Sequence, residues 1–234
     1  MLRRLPRLAI YGLGVVLGGL TGCVTPRLMA DDDFSGAYLE AARAIEADDV
    51  ARLREIAKTL DDLDAPGKKG VTLLWFAMSN ERFEAITALI ELGSDPTGQV
   101  AKGLGTPVLA ALRHKDVRYL EAMLKGGLDP NWQSEGGTPL IHEAAGPAGY
   151  SLEHTQLLLA YGANINARNS LDAPPLLRAI NTHRPDIALY LVEEGADVNA
   201  FTINGVSMMW AVHSIIERQS PGTPLRRDFE RLRD

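Results

Sequence analysis

Residues 137–145 read "GTPLIHEAA", and residues 162–167 read "GANINA". The first stretch places turn-forming residues ahead of an apolar helix start. The second follows the apolar stretch "TQLLLAY" and opens with a glycine suited to the left-handed residue that ends a helix. Both patterns recur. "GVTLLWFA" (70–77), "GTPVLAA" (105–111), "APPLLRAI" (173–180) and "GVSMMWAV" (205–212) repeat the first, with anchors at Thr72, Thr106, Thr138, Pro174 and Ser207 spaced 34, 32, 36 and 33 residues apart. "LGSDPT" (92–97), "GGLDPN" (126–131) and "GADVNA" (195–200) repeat the second, with Gly93, Gly127, Gly162 and Gly195 spaced 34, 35 and 33 apart. Two interleaved series with one period mean a stack of similar helical units, none of which can bury its apolar face alone.

These motifs resemble the ankyrin repeat, whose pattern runs G-x-T-P-L-H-x-A, then a second helix ending L-L, then G-A-D-x-N. A threonine at the helix start can accept orphan backbone N–H groups, and a following proline suits the first turn. The resemblance covers about residues 34–225. It implies an all-α solenoid with projecting β-turn hairpins: a capping helix pair at 34–65, four full repeats at 66–201, and a capping repeat and tail at 202–234. In the first cap, Leu39, Ala42, Leu53 and Ile56 are expected to face the stack. The charged "TPLRRDFERLRD" is expected to close its other end.

The start of the chain carries a different signal. "MLRRLPR" holds Arg3, Arg4 and Arg7 and no acid, and "LAIYGLGVVLGGL" is an apolar run too short to span a bilayer as a helix. The run ends Leu20-Thr21-Gly22-Cys23, at the only cysteine in the chain. This resembles the lipobox of bacterial lipoproteins, which implies a signal peptide at 1–22, a diacylglycerol on Cys23 and a tether over 23–33. Val24 after the cysteine points to the outer membrane, facing the periplasm. Loss of residues 1–22 removes three arginines and no acid, taking the net charge from −6 to −9. An acidic body disfavours nucleic acid.

Departures from the repeat mark candidate binding residues. From anchor to closing glycine, repeats one, two and four span 21 residues and repeat three spans 24. The excess falls in Gly146–Ser151, which reads either as a tolerated surface insertion or as a displaced loop offering Tyr150. Glu143 takes a position where other repeats hold Ala77, Ala111 and Ala179. Trp132 stands where Ala167 and Ala200 stand, and is either a hot spot or packed on the neighbouring turn. Trp75 and Trp210 read as core or inter-repeat packing, and Met208 and Met209 as core. The resemblance places Lys68, Lys69, Ser79, Asn80, Lys102, Arg113, His114, Gln133, Ser134, Glu135, Asn169, Asp172, Asn181 and Asn204 on the concave surface. Its mixed charge suits a protein partner.

No chemistry is legible. His114, His142, His154, His183 and His213 lie at unequal offsets from their anchors and form no zinc spacing. No nucleophile elbow or phosphate-binding loop appears. The expectation is a monomeric, non-enzymatic protein binder without cofactor or metal. Its architecture resembles some immunity proteins against periplasm-delivered toxins. The alternative is a scaffold holding a periplasmic or envelope enzyme, as some bacterial ankyrin proteins do beside catalases.

Overall fold

The computed structural model describes residues 28–99, 105–146 and 152–233. Among these, regular structure is helical, and pairing between extended segments is confined to two isolated bridges, Gln133 with Pro139 and Phe201 with Ser207. A short α1 (Ala30–Asp33) precedes six helix pairs. They are α2 (Gly36–Glu46) with α3 (Val50–Ala57), α4 (Leu73–Ser79) with α5 (Phe83–Glu91), and α6 (Pro107–Arg113) with α7 (Arg118–Lys125). After them come α8 (Leu140–Ala144) with α9 (Leu152–Ala160), α10 (Pro175–Asn181) with α11 (Pro185–Glu193), and α12 (Met208–Arg218) with α13 (Pro224–Arg233). The four interior pairs are the repeats. One pair closes each end.

The repeated residues do the local work expected of them. The hydroxyls of Thr72, Thr106 and Ser207 accept from the N–H groups of Trp75, Leu109 and Trp210 at 3.2, 3.3 and 3.2 Å. Each satisfies one of the donors a helix start leaves orphaned. At the other end, Gly93, Gly127, Gly162 and Gly195 adopt φ of 106°, 108°, 88° and 89°. The residue after each glycine donates its N–H back into the helix, as Ser94 does to the Leu89 carbonyl at 3.0 Å.

Repeat three departs from the register expected of it. Its helix starts one residue late, with Pro139 rather than Thr138 at the N-cap. The hairpins agree. The N–H groups of Gly67, Ser134, Asn169 and Thr202 donate to the carbonyls of Val71, Thr138, Ala173 and Val206. Each hairpin therefore delivers the chain to a cap one residue later, at Thr72, Pro139, Pro174 and Ser207. Counted from Pro139, Ala144 fills the alanine position and Glu143 lies one residue before it. His142 takes the same place as Trp75, Leu109, Leu177 and Trp210. The excess in this repeat shrinks from three residues to two.

Between repeats runs a ladder of side-chain to backbone bonds. Asp62 after the first cap, and Asp95, Asp129, Asn164 and Asp197 of the G-x-D-x-N series, close their own turns by accepting from the N–H two residues on. Two residues further along, Asp64, Asn131 and Asn166 reach the next repeat. They accept from the N–H groups of Asp95, Asn164 and Asp197 at 2.9, 2.8 and 2.9 Å.

The core follows the stack in two apolar clusters. One runs from Ala30 and Phe34 through Phe76, Leu120 and Leu158. The other runs from Ala145 through Leu176, Leu191 and Ile216 to Phe229. They meet at α8 and α9, where Leu159 packs against both and the interior is polar, with His142, His154 and Thr155 buried. At the N-terminus the packed body begins earlier than the tether boundary expected at residue 33. Ala30 and Asp33 are buried, and Phe34 meets Phe76 edge-on at 5.4 Å. In the first cap Ala42, Leu53 and Ile56 are buried and Leu39 packs partly against them.

Candidate binding surface

The hairpin tips are the most regular projections of the molecule. Each is a four-residue turn, at 67–70, 134–137, 169–172 and 202–205, closed by an N–H to C=O bond of 2.8 or 2.9 Å. The last residue of each turn takes positive φ, at Gly70, Gly137, Asp172 and Gly205. Asp172 is the one of these four that is not glycine. Arg168 holds it, with Nη1 2.8 Å from the Asp172 carbonyl and 3.2 Å from its carboxylate. The same nitrogen donates to the Phe201 carbonyl at 3.0 Å, which ties the hairpin at 169–172 to the one at 202–205. The N–H of Ile203 donates to the Leu171 carbonyl at 3.1 Å.

The candidate residues divide between surface and scaffold. Gln133 and Glu135 on one tip, Asp172 on the next and Asn204 on the last are exposed, as are Arg113, His114 and Asn181 at the ends of inner helices. Lys68 and Lys69 lie on the first tip, and Lys69 Nζ reaches the buried Asp33 carboxylate at 3.5 Å. His114 accepts from the Asp116 N–H at 3.1 Å and packs edge-on against Tyr119, so it is partly committed to its own loop. Asn169 is structural: its side-chain oxygen accepts from the N–H groups of Leu171 and Ala173, both at 3.0 Å. One expectation is corrected, and Trp132 takes one of its two alternatives. Asn80 is buried and donates its amide to the Phe76 carbonyl at 3.0 Å, because it ends α4 beneath the outer helices. Trp132 is half-buried against the main core, so it packs rather than projects. Tyr150, Lys102 and Cys23 lie outside the described residues.

The surface that sequence reasoning missed is apolar. Leu171, Phe201 and Ile203 are 57%, 55% and 70% exposed on the last two hairpins. The corresponding earlier tips carry Lys68, Lys69, Gln133 and Glu135. Trp210 and Met209, expected in the core, are 59% and 49% exposed on the first turn of α12. Single exposed apolar residues are ordinary, but a contiguous group on adjacent projections marks an interaction site. A signal was present, since isoleucine, leucine and phenylalanine replace charge at turn positions. The expected burial of the whole anchor motif concealed it.

Among the described residues no three His, Cys, Asp or Glu side chains are grouped to hold a metal ion, and no helix is long and apolar enough to cross a membrane.

Comparison with known proteins agrees with the geometry. The family model described as ankyrin repeats (3 copies) matches residues 108–202. Protein PhlB of Serratia liquefaciens is 32% identical over 188 residues, covering 78% of this chain and 80% of that protein. The chain belongs to the ankyrin-repeat family. Alpha-latrocrustotoxin-Lt1a of Latrodectus tredecimguttatus is 30% identical over 120 residues, but the chain spans only 8% of that toxin's length. Among solved structures, the ankyrin repeat protein EF0377 is 25% identical with a TM-score of 0.57, over 83% of this chain and 98% of that one. An ankyrin repeat domain from Acinetobacter baumannii AYE is also 25% identical, with a TM-score of 0.58 over 82% and 94%. Ankyrin repeats are protein-interaction modules, and the solenoid of four repeats with helical caps is the architecture of this one.

Proposed function

We propose that this chain is a lipid-anchored, periplasm-facing binding module that sequesters one specific protein partner, in the manner of an immunity protein or inhibitor. The observation that carries the binding site is the exposed Leu171, Phe201 and Ile203 on two hairpins held together by Arg168. A rigid scaffold presents these side chains with little ordering cost, which leaves more of the contact energy for affinity. Polar Asp172, Asn181 and Asn204 lie nearby in the same repeats and suit a rim around an apolar centre. On this reading the interface centres on repeat four and the C-terminal repeat.

The anchor is the Leu20-Thr21-Gly22-Cys23 motif. Only four residues separate Cys23 from Leu28, where the described body begins. Extended chain over that interval reaches about 18 Å. The N-terminal cap would therefore sit close to the bilayer, with the C-terminal hairpins at the far end of the stack.

Crosslinking in the native envelope, followed by purification of the full chain, tests both parts. A Leu171→Asp, Ile203→Asp variant is expected to lose a stoichiometric partner that Trp132→Ala, Tyr150→Ala retains. Retention by the tip variant would refute the site. Assay of the partner with and without this protein separates an inhibitor from a scaffold, since only the former suppresses activity. Labelling with a fatty-acid analogue that is lost in Cys23→Ser supports the anchor, and labelling that persists excludes it.

A further inference from the structure

A half-buried arginine has to be held by something, because its charge has lost part of its water. Among the described residues the half-buried arginines are Arg54, Arg82, Arg178, Arg184 and Arg226. Arg54 meets Glu91, Arg184 meets Asp186 at 2.6 Å and Arg226 meets Glu230 at 2.8 Å. Arg82 donates to the carbonyls of Ile45 and Glu46 at 3.2 and 3.1 Å. Arg178, on α10 of repeat four, is the exception. Among the described residues its guanidinium has no hydrogen-bond or ion-pair partner, and its Nε is sealed from solvent without one.

The register of the repeat does not explain the charge. Four residues from each N-cap stand Phe76, Ala110, Glu143, Arg178 and Ala211. Phe76 and Ala211 are buried and Ala110 is half-buried, so in those repeats the position packs. A methionine would fill the space of the Arg178 stem without stranding a guanidinium. Glu143 holds the same place one repeat away and is half-buried too, yet no ion pair joins the two. His142, beside Glu143 on α8, adds no counter-charge. Burial, and then the charge of Arg178, push its pKa from 6.5 to about 4, so it is neutral at pH 7.

We infer that Arg178 is the seat of a carboxylate carried by the protein partner, from an Asp or Glu side chain or a chain terminus. The inference rests on the reading of this chain as a protein binder and adds what the partner must bring. With Nε sealed, the carboxylate meets the terminal nitrogens of the planar fork. A monoanion balances the single positive charge. A dianionic phosphate would leave excess negative charge one repeat from Glu143, which favours the carboxylate. Helix α10 follows directly from the hairpin that carries Leu171 and Asp172. One partner can therefore lay an apolar side chain on the tips and its acid on the helix they lead into. The tips supply affinity and the cation supplies discrimination, since a partner lacking the acid would cover the guanidinium and leave it unpaired.

The test needs no identified partner. The probe is acetate, exchanged for chloride at constant ionic strength, and the sample is the full chain in uncharged detergent, isotopically labelled in nitrogen for magnetic resonance. The Arg178 Nε–H signal is assigned by its loss in Arg178→Met. It is expected to shift saturably with acetate, with a midpoint in roughly the tens of millimolar, while the signals of Arg184 and Arg226 stay in place. In chloride, Arg178→Met is expected to melt about 2–4 °C above the wild type, because packing replaces an unpaired charge. Acetate should narrow that gap by stabilising the wild type alone. Absence of a saturable shift up to about 200 mM acetate overturns the inference. So does phosphate that moves the signal where acetate does not. Arg178→Met melting below the wild type would mean that the guanidinium is already satisfied within the fold, by Glu143, and overturns it as well. Leu171→Asp with Ile203→Asp should leave the acetate response unchanged, so failure of this site and failure of the tip site are read separately.

Discussion

His142 shows how one buried side chain ties stability to pH. It is almost inaccessible, and burial, reinforced by the positive charge of Arg178, pushes its pKa from 6.5 down to about 4 against the smaller opposing effect of the Ala173 carbonyl. A histidine with a lowered folded pKa binds fewer protons folded than unfolded. Its contribution is therefore complete above about pH 6.5 and is lost as pH falls toward 4. The full loss is on the order of 3 kcal/mol. Burial lowers the His154 pKa in the same direction. Urea denaturation at pH 7 and pH 4.5 is expected to show a fall in midpoint that His142→Leu reduces. An equal fall in the variant would remove His142 as a cause.

A second residue-scale test concerns backbone strain. Glu81 and His183 join inner to outer helices with φ of 56° and 59°, a region costly for residues bearing Cβ. The cost is accepted because the next residue in each case donates its N–H back into the preceding helix, Arg82 to Ala77 and Arg184 to Ala179. Glu81→Gly and His183→Gly should each raise stability by about 0.5–1 kcal/mol, the relief exceeding the added freedom of the unfolded chain. Thermal melting would read the shift, and a lower melting temperature would count against a strained loop.

Helix packing sets the next scale, and α5 lies close against α7. Gly126 caps α7 with φ of −74°, an ordinary helical value, so backbone freedom is not why glycine stands there. A Cβ at that position would lie 2.8 Å from both the Ile90 Cβ and the Thr87 carbonyl. Thr87 exploits the approach, donating its hydroxyl to the Ala122 carbonyl at 3.0 Å. Alanine near a helix end would otherwise be favoured by up to about 1 kcal/mol. Gly126→Ala is nevertheless expected to destabilise by roughly 1–3 kcal/mol, through overpacking of two helices fixed by their neighbours. Denaturant titration gives the sign, and a stabilised variant would show that the helices can separate at little cost.

Over the whole molecule the divided core predicts divided cooperativity. Two apolar clusters meet at α8 and α9, where His142, His154 and Thr155 occupy interior positions. In a linear array each repeat is stabilised by its neighbours, and a polar junction is the weakest link. Hydrogen exchange should resolve two protected units with their boundary in repeat three. Leu191→Ala is expected to lower protection across α10 to α13 more than across α4 to α7. Uniform loss through both halves would mean that the junction transmits stability fully.

Much of this architecture could be read without coordinates. The period, the capping hydroxyls of Thr72, Thr106 and Ser207 and the left-handed glycines after each outer helix are local devices. Each depends on a few neighbouring residues and on backbone sterics, so the chain carries them in plain order. What the sequence could not decide was which members of a repeated pattern are covered. Met209 obeys the same pattern as Leu74 and Leu176, yet it is 49% exposed where they are buried. Trp132 and Asn80 sit at positions that project in other contexts, and here neighbouring elements cover them. The shift of repeat three from Thr138 to Pro139 was equally invisible, since both residues suit a helix start and only the hairpin bonds choose between them. Local sterics and hydrogen bonding wrote the repeat into the sequence. Exposure depends on what lies next door, so only the assembled stack decided which faces remain free to bind.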